Sequence, residues 1–127
     1  MSRSLNDLDS RFRPLAFELI ARCTEARICV IIVDTLRTVE EQKDNIRRGV
    51  SWTQNSKHLP QPPEGKSLAI DIAPYHTYLL NGPDKLEWDR NDPVWKRIGE
   101  IGERLGLKWG VVRGGIQIDP GHFEMRL

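Results

Sequence analysis

Two cysteines and three histidines in 127 residues leave few side chains able to bind a metal or act as a nucleophile. Cys23 and Cys29 form no CxxC pair and fall on an expected helix end and an expected strand. Both are read as small core residues rather than as a disulfide or redox centre. The longest apolar run is Ile28 to Val33, far short of the ~18 residues of a membrane span, so no stable membrane insertion is expected. Charge of either sign is not in excess: Lys plus Arg is 19, Asp plus Glu is 18, and the net is +1. Binding by phosphate neutralisation usually needs a basic surplus, so no nucleic-acid partner is expected. The motifs GxGxxG, GxxxxGK[ST] and GxSxG are missing as well. A dinucleotide cofactor, a phosphate-cradling loop and a serine nucleophile elbow thereby lose their support. Residues 1–14 carry no apolar stretch ahead of a small-residue cleavage site, so synthesis in a cytoplasm without a signal peptide is expected.

The residues that are present describe an ordinary globular chain. Hydrophobic residues are 39% and charged residues 29%, enough apolar material for one real core. The length suits one domain, so residues 1–127 are expected to form a single one. Residues 10–25 repeat apolar side chains at helical spacing, with Asp9 or Ser10 as the cap. Ile28–Asp34 reads as a strand buried on both faces. Thr38–Arg48 reads as a helix with Thr38 and Glu41 in capping-box register, ended by Gly49. Residues 50–67 form a long irregular stretch, a length that marks functional or disordered loops. Leu68–Pro74 reads as a strand and Pro93–Leu105 as an amphipathic helix; 108–112 and 122–126 read as short strands. The class is α+β: an antiparallel or mixed sheet flanked by about three helices.

That irregular loop carries His58, and the strand after it carries Asp71 between Ile70 and Ile72. A carboxylate inside an apolar strand needs a partner, a cation or a metal. Near the C-terminus, Asp119 precedes His122 across a Pro-Gly turn, and Glu124 lies two residues beyond. A catalytic zinc takes three protein ligands and leaves one position open, and two histidines with one carboxylate are a standard set. Hydrolysis also needs a carboxylate that does not bind the metal, to take and return a proton. Asp119 is a candidate, and Glu124, on the same strand face as His122, competes with it. On spacing alone, a surface histidine and a plain turn are the rival readings.

The runs Ser56-Lys57-His58, Ala69-Ile70-Asp71 and Asp119-Pro120-Gly121-His122-Phe123-Glu124 together resemble the D,D-carboxypeptidase-like zinc peptidases. The similarity is greatest to the L-alanyl-D-glutamate peptidases of phage endolysins. Asp34-Thr35-Leu36-Arg37-Thr38, followed by Gln42, adds to the resemblance, which spans residues 28–126. It implies a zinc site in a cleft on the sheet, with His58, Asp71 and His122 as Zn2+ ligands. It implies Asp119 as general base and acid, and Arg37 at the substrate carbonyl or the developing oxyanion. Gln42, Ser56 and Glu124 would support through substrate or ligand hydrogen bonds. The implied activity is hydrolysis of the L-Ala–D-Glu amide in the peptidoglycan stem peptide, by a monomer that lyses the host wall. Release from the host cytoplasm would depend on a separate pore. A D,D-carboxypeptidase or D-alanyl-D-alanine dipeptidase is the alternative within the class, and an inactive wall-binding or virion module the alternative outside it. Two departures stand out. A proline-rich insertion lengthens the stretch between His58 and Asp71, which would alter the cleft rim and substrate preference. A Trp-Gly-Gly-Asp-Trp-like segment is changed to Trp109-Gly110-Val111-Val112-Arg113. His76 is read as a surface loop residue, Trp52 as either the lining of a sugar or peptide groove or an exposed packing residue, Trp95 as core, and Trp88 and Trp109 as partly buried supports.

Overall fold

Alternation along two short strands sets the architecture. The computed structural model describes residues 2–49, 55–75 and 86–126. After a 3-10 turn at Leu5–Asp7 come α1 (Arg13–Glu25), β1 (Val30–Asp34), α2 (Val39–Arg47), β2 (Ala69–Pro74) and α3 (Pro93–Arg104). The strands β3 (Lys108–Trp109), β4 (Val112–Arg113), β5 (Ile116–Gln117) and β6 (His122–Glu124) complete the described order. Four strands form one antiparallel sheet in the order β1-β2-β6-β3. The strands β4 and β5 pair as a separate hairpin. The α+β class expected from the sequence is the class observed.

Because side chains alternate along a strand, the two faces of this sheet separate chemically. Ile70 and Ile72 of β2 and Phe123 of β6 point into a core shared with Phe12, Leu19 and Cys23 of the α1 region and Ile98 of α3. Register then lines up what remains. Asp71 lies opposite His122, and Ala69 lies opposite Glu124. Directly opposed residues in an antiparallel pair project to one face, so β2 and β6 bring Asp71, His122 and Glu124 to the side away from that core. On β1 the register shifts between Ile32 and Asp34, which sets Asp34 opposite Asp71. Such a bulge re-aims one side chain. Here it adds a fourth acid-or-imidazole residue, Asp34, to Asp71, His122 and Glu124.

Helix α3 lies close to the sheet because two of its residues have no side chain. A Cβ on Gly102 would run into the Phe123 ring, and one on Gly99 into the Trp109 indole. Close contact of this kind explains two glycines in a helix interior, where each costs about 1 kcal/mol of helix propensity. Trp95 on the same helix is 4% exposed, the core position its spacing suggests. Helix α2 carries the expected capping box, Thr38 with Glu41, and Gly49 follows it at φ 74.

Four expectations need correction. β1 is not buried on both faces, since Ile31 is 45% exposed; an unbroken apolar run does not reveal which face of the strand stays uncovered. Cys29 is exposed, and only Cys23 is buried. Phe12 is the residue before α1 and makes no side-chain cap. Asp9 instead binds the Arg11 backbone N–H at 2.8 Å and the Arg11 side chain at 2.9 Å. The proline-rich insertion, expected at the cleft rim, contributes no residue to the described lining of the cleft below. Its ends meet where Leu68 N–H donates to Lys57 O at 2.9 Å. Its body is fastened to the N-terminal segment: Arg11 donates to Pro62 O at 3.2 Å, Lys66 to Asn6 O at 2.5 Å, and the Ser10 hydroxyl to Glu64.

Candidate metal centre and active site

The row of opposed residues becomes a cluster once His58 joins it from the loop. Leu59 N–H donates to Ser56 O, and His58 N–H donates to Ser56 Oγ at 3.2 Å, a tight turn that presents the His58 ring. Arg37 N–H donates to His58 O at 2.9 Å, tying the loop to the end of β1. The His58 Nε2, the His122 Nδ1 and the Asp71 carboxylate then converge. Each nitrogen lies 3.0 Å from Asp71 Oδ1. One ligand atom from each of the three residues lies within 4.8 Å of the other two.

Hydrogen bonding fixes what each ring offers. His58 Nδ1 lies 2.6 Å from Thr35 O. A carbonyl only accepts, so Nδ1 carries the proton and a neutral ring presents a bare Nε2. That atom is fully buried and has no hydrogen-bond partner. A buried lone pair facing a carboxylate oxygen is costly unless a cation lies between them. His122 Nε2 lies 3.0 Å from Glu124 Oε1, so a neutral ring that donates to Glu124 leaves Nδ1 bare towards Asp71. Fixing the tautomer of a ligand histidine through its far nitrogen is how metal sites are commonly built.

His122 answers the acids around it by gaining charge. Burial works against a charged ring, yet hydrogen bonds to Asp71 and Glu124 push its pKa up to about 10; the metal-free ring is then protonated at neutral pH, and a cation bound at Nδ1 would replace that proton. Burial also opposes ionisation of Asp71, and the surrounding histidines outweigh it, holding the carboxyl well below its usual range. Burial opposes Glu124 too, but bonds from His122 and Lys57 hold it down at about 2. Lys57 Nζ is 2.9 Å from Glu124 Oε2 and donates to Met125 O at 2.7 Å. The pocket is thus arranged to accept positive charge at one point. Two imidazoles and a carboxylate form a donor set suited to zinc.

Asp119 differs from these groups. Burial raises its pKa first and the Asp71 charge raises it further, to about 6. It lies with Asp71 on the lining of a cleft of about 240 Å3 whose apolar walls include Val33, Trp95 and Ile118. The Pro-Gly turn is held by His122 N–H donating to Asp119 O at 3.3 Å.

Arg37 is 11% exposed and is held on several sides. Its Nε and one terminal nitrogen donate to Asp34 Oδ2, at 3.0 and 2.5 Å, and the other terminal nitrogen donates to Gln42 Oε1 at 2.5 Å. The nitrogen shared with Asp34 lies 3.7 Å from Asp71 Oδ2. Gln42 is therefore placed against Arg37, and Ser56 against the His58 backbone.

Sequence reasoning missed Asp34, whose buried carboxylate clamps Arg37. Its signal was available, a carboxylate closing an apolar run three residues before an arginine. Lys57 was missed as the partner of Glu124. Trp88, read as a partly buried support, is instead 53% exposed and lines the cleft, as does Arg90. Trp109 is partly buried and donates to Pro120 O at 2.7 Å. His76 and Trp52 lie outside the described residues.

Solved structures share this fold. The Serratia marcescens L-Ala D-Glu endopeptidase ChiX superposes with a TM-score of 0.71 at 17% identity, over 98% of this chain and 87% of its own. The vancomycin-resistance D,D-pentapeptidase VanY of the VanB-type cassette, solved with Zn(II), gives 0.56 at 17% identity, over 93% and 72%. VanYB in complex with D-alanine-D-alanine gives 0.57 at 17% identity, over 93% and 71%. At that identity the likeness defines the fold, and it is a fold used by peptidases. A comparison with curated protein sequences finds no match. Residues 1–123 match the family model of the phage L-alanyl-D-glutamate peptidases, and the chain belongs to that family. It is accordingly an enzyme of the peptidoglycan-hydrolysing peptidase class. Among the described residues, no helix is long and apolar enough to cross a membrane.

Proposed function

We propose that this protein is a zinc-dependent endopeptidase that hydrolyses the L-Ala–D-Glu amide of the peptidoglycan stem peptide and so lyses the host wall. His58, Asp71 and His122 hold the zinc. The observation that carries the reading is the buried His58 Nε2, freed by the Nδ1 bond to Thr35 O and aimed at Asp71 Oδ1. Bound zinc supplies Lewis acidity, polarising the scissile carbonyl and lowering the pKa of water towards ~7. The remaining work falls to the chain. Asp119 takes a proton from the attacking water and delivers it to the leaving amine. Its pKa of about 6 suits an acid that must both accept and return a proton near neutral pH. Glu124, held at about 2, is too weak a base for that work and instead orients His122. Arg37 sets a permanent positive charge beside Asp71, where it offsets charge developing on the carbonyl oxygen. Asp34 and Gln42 keep that guanidinium in place. The protein works as a monomer and a single catalytic domain, and a separate pore admits it to the wall.

Mass spectrometry of purified peptidoglycan digested with the zinc-loaded protein tests the reading. New amino-terminal D-glutamate is the expected product. Release of D-alanine would instead mark a carboxypeptidase, and an undigested wall would mark an inactive module.

A further inference from the structure

The cleft holds one charged group that the mechanism does not use. Asp71 and Asp119 bring two carboxylates to its lining, and Arg90 is the single cation among its described lining residues. Arg90 is exposed, and among the described residues it makes no hydrogen bond or ion pair. Arg37 cannot take its place, because Asp34 and Gln42 already occupy its fork.

The backbone that presents Arg90 is pinned on both sides. Before it, Glu87 N–H donates to Pro74 O at 2.9 Å, at the end of β2. Around it, Asn91 N–H donates to Asp89 Oδ1 at 3.0 Å and Asp92 N–H to Asp89 O at 3.0 Å. Asp92 then caps α3 by accepting from Val94 N–H at 2.9 Å. A free guanidinium on a fixed turn, at the edge of a cleft that already contains acids, is placed to attract an anion.

The substrate supplies one. In an L-alanyl-D-glutamyl amide the leaving amine belongs to glutamate. Whichever of its carboxyl groups continues the peptide, the other is free and ionised. With Asp71 engaged by the zinc, Asp119 still faces that carboxylate with like charge, so a cation of the protein beside it favours productive binding. A guanidinium fork matches a carboxylate in shape as well as charge.

We infer that Arg90 is a specificity-determining residue that binds the free carboxylate of the D-glutamate on the leaving side of the scissile amide. Trp88, exposed on the same lining, forms the apolar wall beside it. This inference rests on the peptidase reading above.

The test uses the zinc-loaded enzyme and two stem peptides. One carries the free glutamate carboxylate, and the other carries that group as its primary amide. The quantity read is the ratio of kcat/KM for acid over amide. Wild type is expected to favour the acid. Arg90→Gln should lower the ratio by about tenfold or more, the scale of a lost charge-assisted hydrogen bond. The loss should fall on KM more than on kcat, since the contact is made equally in ground and transition states. Arg90→Lys should restore part of the ratio, as a point charge without the fork. A ratio that Arg90→Gln leaves unmoved, with both peptides cleaved, overturns the Arg90 assignment alone. Wild type that cleaves neither peptide overturns the peptidase reading and this inference together.

Discussion

Asp119→Asn is expected to keep one zinc per chain and lose peptide hydrolysis by 10²–10⁴-fold, the usual contribution of a positioned general base. Its carboxylate lies on the cleft lining but outside the convergent His58–Asp71–His122 set, so metal content should not depend on it. The pH dependence follows from the same residue. Burial, and then the Asp71 charge, lift its pKa to about 6. The base works only when ionised, so kcat/KM should fall as pH drops through that range. A bound cation draws the value down, which puts the acid limb at or below about pH 6. Stability moves in the opposite direction. A carboxyl whose folded pKa exceeds its unfolded value of 3.8 destabilises the fold when ionised. That penalty is absent below about pH 4 and complete above about pH 6. Metal-free Asp119→Asn should therefore be more stable than metal-free wild type at pH 7, on the order of 1 kcal/mol, and equal to it near pH 4. Zinc titration, steady-state kinetics and thermal melts at the two pH values check the three parts. An Asp119→Asn enzyme of wild-type activity would remove Asp119 from the mechanism.

Asp71→Asn is expected to fail at an earlier step. Two imidazole nitrogens lie 3.0 Å from Asp71 Oδ1, and Arg37 lies 3.7 Å from Oδ2. Amidation keeps the shape and removes the charge that holds the centre together. Zinc affinity should fall by more than the roughly 10–100-fold that loss of a supporting residue costs, and hydrolysis should fall with it. Zinc stabilises a protein by binding only the folded state. Added zinc should therefore raise the melting temperature of wild type and of Asp119→Asn, but not that of Asp71→Asn. His58→Ala, which removes a different arm of the same set, should behave as Asp71→Asn does. Retention of stoichiometric zinc by both variants would place the metal elsewhere.

Much of this arrangement could be read from the chain, for identifiable reasons. Helices α1 and α3 show because an apolar stripe has a period that composition alone does not hide. The capping box of α2 is purely local, so Thr38 and Glu41 announced it. Asp71 between two isoleucines was informative because a buried carboxylate requires company. What stayed hidden depends on contacts distant in sequence. The bulge that sets Asp34 opposite Asp71 is a property of pairing, and Val33 looks like any other strand residue. The edge position of β1 depends on which strands pair, and the exposure of Ile31 on which face of the strand the rest of the chain packs. The insertion's attachment to residues 6–11 arises from bonds such as Lys66 to Asn6 O, which no local pattern encodes. Trp88 and Arg90 precede α3 in a turn-rich stretch, and only the fold carries them to the wall that Asp71 and Asp119 share.

Crystals of the zinc-loaded protein, with anomalous diffraction recorded on both sides of the zinc edge, would locate the metal. One zinc peak is expected, bonded to His58 Nε2, Asp71 and His122 Nδ1, with Glu124 on the far nitrogen of His122 and Asp119 unbonded. A peak ligated by other residues, or one that takes Asp119 as a ligand, would contradict that assignment.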